Sequence, residues 1–182
     1  MNDLTPVAMA WFAGHHGVIT TAELRSRGVG RSTTDRLTRA GVLHNPHKGV
    51  YVLASAKSTL EVRCAVAVRR TPSGFVTGPT AGSMLGLRRM PRAAGLHFAV
   101  RHGVNPPRET GVVFRQSTAV LASHMHRRSD GITIAKPARL ALILLLTCRR
   151  SIISRCCTSW STKGASRPRS CGRESSVPSS PT

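Results

Sequence analysis

RSTTDRLTRAGVLHNPHKGVYVL, residues 31–53, decides how the N-terminal third of the chain folds. Its first half is polar with Leu37 as an inward-facing position, and it stops at Gly41, a residue suited to the left-handed conformation just past a helix end. Ser32 and Asp35 stand at capping-box spacing, so the pattern predicts a helix from about Thr33 to Arg39. From Val42 the period changes to that of strands. VLHNP and GVYVLA read as two strands joined by a tight NPHKG turn.

Upstream, Thr20 and Glu23 form a second candidate capping box, opening a brief helix, TAELRSRG, that ends at Gly28. VIT before it is a very short extended piece. Leu4, Val7, Ala8, Trp11 and Phe12 recur at helical spacing, and GHHG closes that first helix. Helix, helix, helix, hairpin is the order of a winged helix-turn-helix domain, expected over residues 1–56.

Downstream, a helix is expected from about Ser58 to Arg70, with Leu60, Cys64, Val66 and Ala67 on its buried side. GFVTGPTAGSMLGL reads as a strand, a turn and a small-residue helix. LHFAVRHG (96–103) and ETGVVFRQS (109–117) read as strands. DGITIAKPARLALILLL gives a strand through Ile132 and Ile134, then a helix started near Pro137. The fold class expected is therefore α+β: a winged helix-turn-helix (1–56), a small mixed α/β domain (57–146) and a basic tail (147–182). The tail is rich in Ser, Arg, Pro and Cys, with no acidic residue from Gly131 through Arg173. Two explanations stand: a disordered basic tail, or, the one preferred, a reading frame that leaves its ancestral course near Ala141.

The 27 Lys and Arg against 7 Asp and Glu leave a net charge of +20, a field that attracts polyanions, of which nucleic acid is the commonest. Five cysteines, one alone at Cys64 and the rest at 148, 156, 157 and 171, do not form a secreted disulfide framework. The N-terminus lacks the pattern of a signal peptide, and the longest apolar run, LALILLL at 140–146, is too short to span a bilayer. A cytoplasmic location and no membrane association are the expectation.

Residues 14–53, through His16, Gly17, Val18, Ile19, Thr20, Leu24, Gly28, Leu37, Gly41, Leu43, Gly49, Val50 and Tyr51, resemble the N-terminal winged helix of the AbiEi family. These are the antitoxins of type IV toxin–antitoxin systems. The likeness continues more weakly through TAGSMLGL and DGITIAKPAR. It implies a DNA-binding repressor of its own operon, and in full-length members a C-terminal domain that counteracts a nucleotidyltransferase-like toxin. Three departures stand out. Thr34 replaces an aliphatic residue, Thr77 and Gly78 replace a Ser-His pair, and the Thr expected after Ala138 and Arg139 is missing.

For contact with double-stranded DNA the candidates are Arg31, Ser32, Thr33, Asp35, Arg36 and Arg39 on a recognition helix (32–40) in the major groove. His47 and Lys48 follow at the wing (44–50) on the backbone. Arginine can pair with guanine, while lysine and serine more often hold phosphates. The same residues could form a plain solvated face; Ser32 and Asp35 could serve only as caps. Arg69–Arg70, Arg88–Arg89–Arg92 and His124, His126, Arg127, Arg128 either extend the phosphate track or are ordinary surface charge.

The pairs His15–His16 and His124/His126 lack the further ligands that zinc needs, so neither metal nor cofactor is expected. No phosphate loop, nucleophile elbow or HExxH occurs, and Asp130 and Glu174 lie far apart, so catalysis is not expected. Two other readings remain open: a protein-binding antitoxin module whose helix-turn-helix is mainly scaffold, and a non-functional remnant of a larger nuclease-type relative.

Overall fold

The computed structural model describes residues 4–88, 90, 95–106, 109–118 and 122–146. All lie in the first of two units into which the chain divides, Met1–Thr147, the second being Cys148–Thr182. The tail, with its four cysteines, and Arg89 and Arg92 of the basic cluster are outside the described residues.

The fold is mixed α/β, with a winged-helix-like N-terminal part followed by a sheet domain. Helix α1 (Pro6–Gly14) is capped by Thr5, whose side chain accepts from the Ala8 N–H, and buries Ala8 and Phe12. Strand β1 (Val18–Thr20) leads into α2 (Thr21–Ser26). There the Thr20–Glu23 capping box forms in full, satisfying two otherwise orphaned N–H groups.

The second expected box does not form. Helix α3 spans Arg31–Arg39 with Gly30 as its N-cap and no side-chain cap. Because Gly30 supplies the extended cap backbone, the helix starts two residues early. Ser32 then falls inside it, and Asp35 pairs instead with Arg31 at 3.9 Å. The helix ends as expected, with Gly41 at φ 70°.

The hairpin joins β2 (Leu43–His47) to β3 (Val50–Leu53). Its turn is shorter than NPHKG. His47 pairs with Val50, so only Lys48 and Gly49 bridge the strands, Gly49 at φ 80°. Asn45 and Pro46 instead fall in a register shift between His44 and His47. Strand β1 adds to β3, giving an antiparallel sheet in the order β1-β3-β2.

Helix α4 (Leu60–Arg70), capped by Thr59, buries Cys64 through Val68. It begins two residues later than the sequence pattern placed it. Strand β4 (Phe75–Val76), α5 (Gly78–Met84), β5 (Leu96–Arg101), β6 (Val112–Ser117), β7 (Met125–Arg127) and β8 (Thr133–Ala135) follow, then a helix over 137–146, α6. The five strands form one mixed sheet, β6-β5-β4-β8-β7. Its centre is β4, only two residues long, where Val76 pairs antiparallel with Phe98 and parallel with Ile134. Strands β5 and β6 run parallel in register from Leu96↔Val112 to Arg101↔Ser117. The short β7, which sequence reading missed, closes the far edge against β8.

Two apolar clusters hold these layers together. The smaller gathers Leu4, Ala8, Phe12, Ile19, Leu24, Val29, Leu37 and Leu43 beneath the three N-terminal helices. The larger lies between α4 and the five-stranded sheet and includes Phe75, Phe98, Ile132, Ile134 and Leu140. Strand alternation divides the small sheet between them. Val18 and Val50, with Val52 partly, face the larger cluster; Ile19, with Tyr51 and Leu53 partly, faces the smaller.

Candidate nucleic-acid interface

Helix α3 has two unlike faces. Thr34 and Leu37 are buried, 4% and 5% exposed, and anchor the helix on the smaller cluster. Thr34 takes a position where an aliphatic residue would pack, and its hydroxyl is satisfied by donating to the Gly30 carbonyl at 2.9 Å. The opposite face carries Arg31, Ser32, Asp35, Arg36 and Arg39, all exposed, while Thr33 is half-buried at the margin. At roughly 100° per residue these five fall on an arc of about 140°. Arg36 and Arg39 occupy the last turn, where positive charge complements the helix dipole. The Arg31–Asp35 pair is open to solvent and contributes little to stability.

At the wing, Lys48 is exposed and His47 is half-buried. The His47 ring points inward, with Nε2 3.4 Å from Glu109 Oε1 and 3.4 Å from Arg70 Nη1. Arg70 Nη1 donates to Glu109 Oε2 at 2.6 Å. Arg69 is also turned inward. Its side chain is 6% exposed, and Nε stands 3.5 Å from Glu23 Oε2, an ion-pair separation without hydrogen-bond geometry. Burial pulls the Arg69 guanidinium below its ordinary pKa, against the opposing charge of Glu23. Arg69 and Arg70 therefore lie at the seam between the winged-helix-like part and the sheet domain, not on a solvent-facing phosphate track.

A third bridge crosses the same seam. His16 Nε2 lies 3.0 Å from Asp130 Oδ2, which Arg128 approaches at 3.1 Å, while Asp130 Oδ1 accepts from the Ile132 N–H. Burial alone would raise the Asp130 pKa. The hydrogen bonds from His16 and Ile132 and the Arg128 charge outweigh it and hold the carboxyl below its usual value. Glu23, Glu109 and Asp130 are three of the seven acids in the chain. The outer face of α3 carries Asp35 as its sole acid.

The histidine pairs diverge. His15 stacks on Trp11 at 3.5 Å between ring centroids, with Nδ1 3.0 Å from the Trp11 carbonyl, whereas His16 turns to Asp130. Arg27 covers the Trp11 ring at 3.6 Å. His124 meets Arg139 Nη1 at 2.7 Å, whereas His126 is exposed on β7 together with Arg127. Among the described residues no group of three His, Cys, Asp or Glu side chains is placed to hold a metal ion. No helix among them is long and apolar enough to cross a membrane. The seam was invisible to sequence reading because its partners lie 114 positions apart for His16–Asp130 and 23 for His47–Arg70, with no local spacing to mark them.

None of the curated proteins matches this sequence. Among solved structures it is similar to the crystal structure of the RV2827C protein from Mycobacterium tuberculosis, at 20% identity and a TM-score of 0.44. The likeness covers 72% of this chain and 58% of that one, so the chain spans little more than half of its length. Residues 7–54, the span of the three helices and the hairpin, match the family described as "Transcriptional regulator, AbiEi antitoxin".

Proposed function

We propose that this protein is a DNA-binding regulator of the type IV antitoxin class that represses its own promoter. In this reading residues 1–56 are the DNA-binding domain, residues 57–146 a second domain, and 147–182 a basic tail. Helix α3 enters the major groove with Arg31, Ser32, Thr33, Asp35, Arg36 and Arg39, and the wing rests on the backbone through Lys48, with His47 at its base. The observation that carries this reading is the division of α3, in which the inward face is buried and the outward face is basic and polar. A helix held this way presents side chains to base edges without loosening its own packing. No catalytic role is assigned to any residue.

The test is binding of the purified protein to the DNA upstream of its own coding sequence, against a scrambled duplex, across a salt series. A preference of roughly 10³-fold or more at physiological salt is the expected result. Arg36→Ala and Arg39→Ala, with the fold intact, are expected to cost about 1–3 kcal/mol each where they read a base. Equal binding to both duplexes that vanishes steeply with salt would leave only a basic protein and refute the regulator reading.

A further inference from the structure

We propose that Glu109 and Arg70, which belong to the sheet domain, are positioning residues for the wing, aiming Lys48 at the DNA backbone by gripping His47. This rests on the DNA-binding reading above. The wing needs such a grip because of how its own strands are joined. Ladder pairing between β2 and β3 is regular only at Leu43↔Leu53 and His44↔Val52, and it resumes at His47↔Val50 after a register shift. Asn45 and Pro46 lie in the interval and are exposed. On its β3 side the tip is held by Thr21, whose N–H donates to the Gly49 carbonyl at 3.0 Å; on its β2 side so short a closing ladder leaves few bonds to hold its direction.

Three side chains constrain the His47 side. Glu109 spans two partners, with Oε2 on Arg70 Nη1 at 2.6 Å and Oε1 3.4 Å from His47 Nε2. The three side chains are 26%, 18% and 21% exposed, so the charge-assisted Arg70–Glu109 bond is shielded from solvent, and Arg70 Nη1, held by it, reaches His47 Nε2 at 3.4 Å. Arg70 is the last residue of α4, a helix whose apolar face is built into the larger cluster, so the grip is anchored in the core of the sheet domain. Lys48 follows His47 directly and is exposed. Fixing the His47 ring therefore fixes the root of the lysine.

The sign of the effect separates positioning from simple charge. Glu109→Gln removes a negative charge from a polyanion-binding protein, and electrostatics alone would make it bind DNA more tightly. Positioning gives the opposite result. Binding of Glu109→Gln to the protein's own upstream duplex is expected to weaken roughly fivefold. The slope of log K against log salt should shrink by about 0.9, the value for one DNA phosphate that the protein no longer neutralises. His47→Gln breaks the same grip from the wing end and is expected to behave alike. It carries the test if Glu109→Gln, checked by thermal melting, does not fold. In a Lys48→Ala background neither substitution should weaken binding further, because the group being aimed is gone.

Unchanged or tighter binding by both folded variants overturns the proposal, and so does a weakening of equal size in the Lys48→Ala background. A parent protein that does not prefer its upstream duplex over a scrambled one refutes the DNA-binding reading itself. A parent that does prefer it, alongside variants that bind equally well, refutes the grip alone.

Discussion

Adding one methyl group at each of two glycines should move stability in opposite directions. Gly74 sits where the chain turns into β4, beneath the buried Phe98 ring. A β-carbon there would lie 2.7 Å from Phe98 Cζ and 3.0 Å from the Ala99 carbonyl oxygen, with Phe98 Cε1 closer still. The ring cannot retreat easily. Phe98 is 0% exposed and meets Phe114 edge-on at 6.0 Å and 82°. At Gly14, the last residue of α1, an added β-carbon would meet nothing within 4 Å.

Replacing glycine by alanine narrows the unfolded ensemble at either position, a gain of about 0.4–1 kcal/mol where the native backbone tolerates it. At Gly14 that gain stands alone, and Gly14→Ala should be more stable by about that amount. At Gly74 overpacking of about 1–3 kcal/mol opposes the gain. Gly74→Ala should therefore be less stable by about 1–2 kcal/mol, since off-rotamer strain in a full core exceeds the backbone benefit. Urea denaturation of each variant gives the answer, read as a shift in midpoint at constant slope. A Gly74→Ala protein as stable as its parent would mean that Phe98 does not seal the sheet as described.

Thr20→Ala removes the side chain that caps α2 and should cost about 1 kcal/mol, measurable by the same denaturation. The Asp130 carboxyl, held low in the folded state, contributes stability that is present above its unfolded pKa of about 3.9 and is lost as pH falls through the lower folded value. Asp130→Asn should flatten that acid limb of the stability profile, and an unchanged profile would argue against the His16–Asp130–Arg128 bridge. Cys64 is fully buried and its thiol is pushed up to about 12, chiefly by burial, so it should resist alkylation at pH 8 until denaturant is added. Mass mapping of the alkylated protein reads this directly.

What the sequence disclosed was local. Thr20 and Glu23 stand three apart and their box forms, because both partners lie within one helical turn. Gly41 and the strand-like period after it marked the end of α3 and the start of the hairpin for the same reason. Ser32 and Asp35 have the same spacing but failed, since Gly30 competed for the cap and Arg31 for the carboxylate. The NPHKG turn was overlong, because a register shift keeps Asn45, Pro46 and His47 within β2 and leaves only Lys48 and Gly49 to turn. The parallel pairing of β5 with β6, the strand β7 and the three bridges of the seam all join distant residues. No hydrophobic period or motif encodes such partners. The outward residues of α3 could be named in advance, but the inward turn of His47 could not, because Glu109 lies far along the chain.

The two-faced small sheet bears on how the molecule comes apart. Val18, Val50 and Val52 belong to one apolar cluster, and Ile19, Tyr51 and Leu53, their immediate neighbours in the chain, belong to the other. Neither cluster can melt without baring one side of the same two strands, β1 and β3. Unfolding should therefore be a single cooperative event across both, with hydrogen exchange at β3 reporting the global opening and not a local one. A fragment cut after residue 56 would keep its outward arginines yet carry a strip of bare valines on its back. The layout proposed for DNA contact is thus confined to one stretch of the chain, whereas the folding unit is larger.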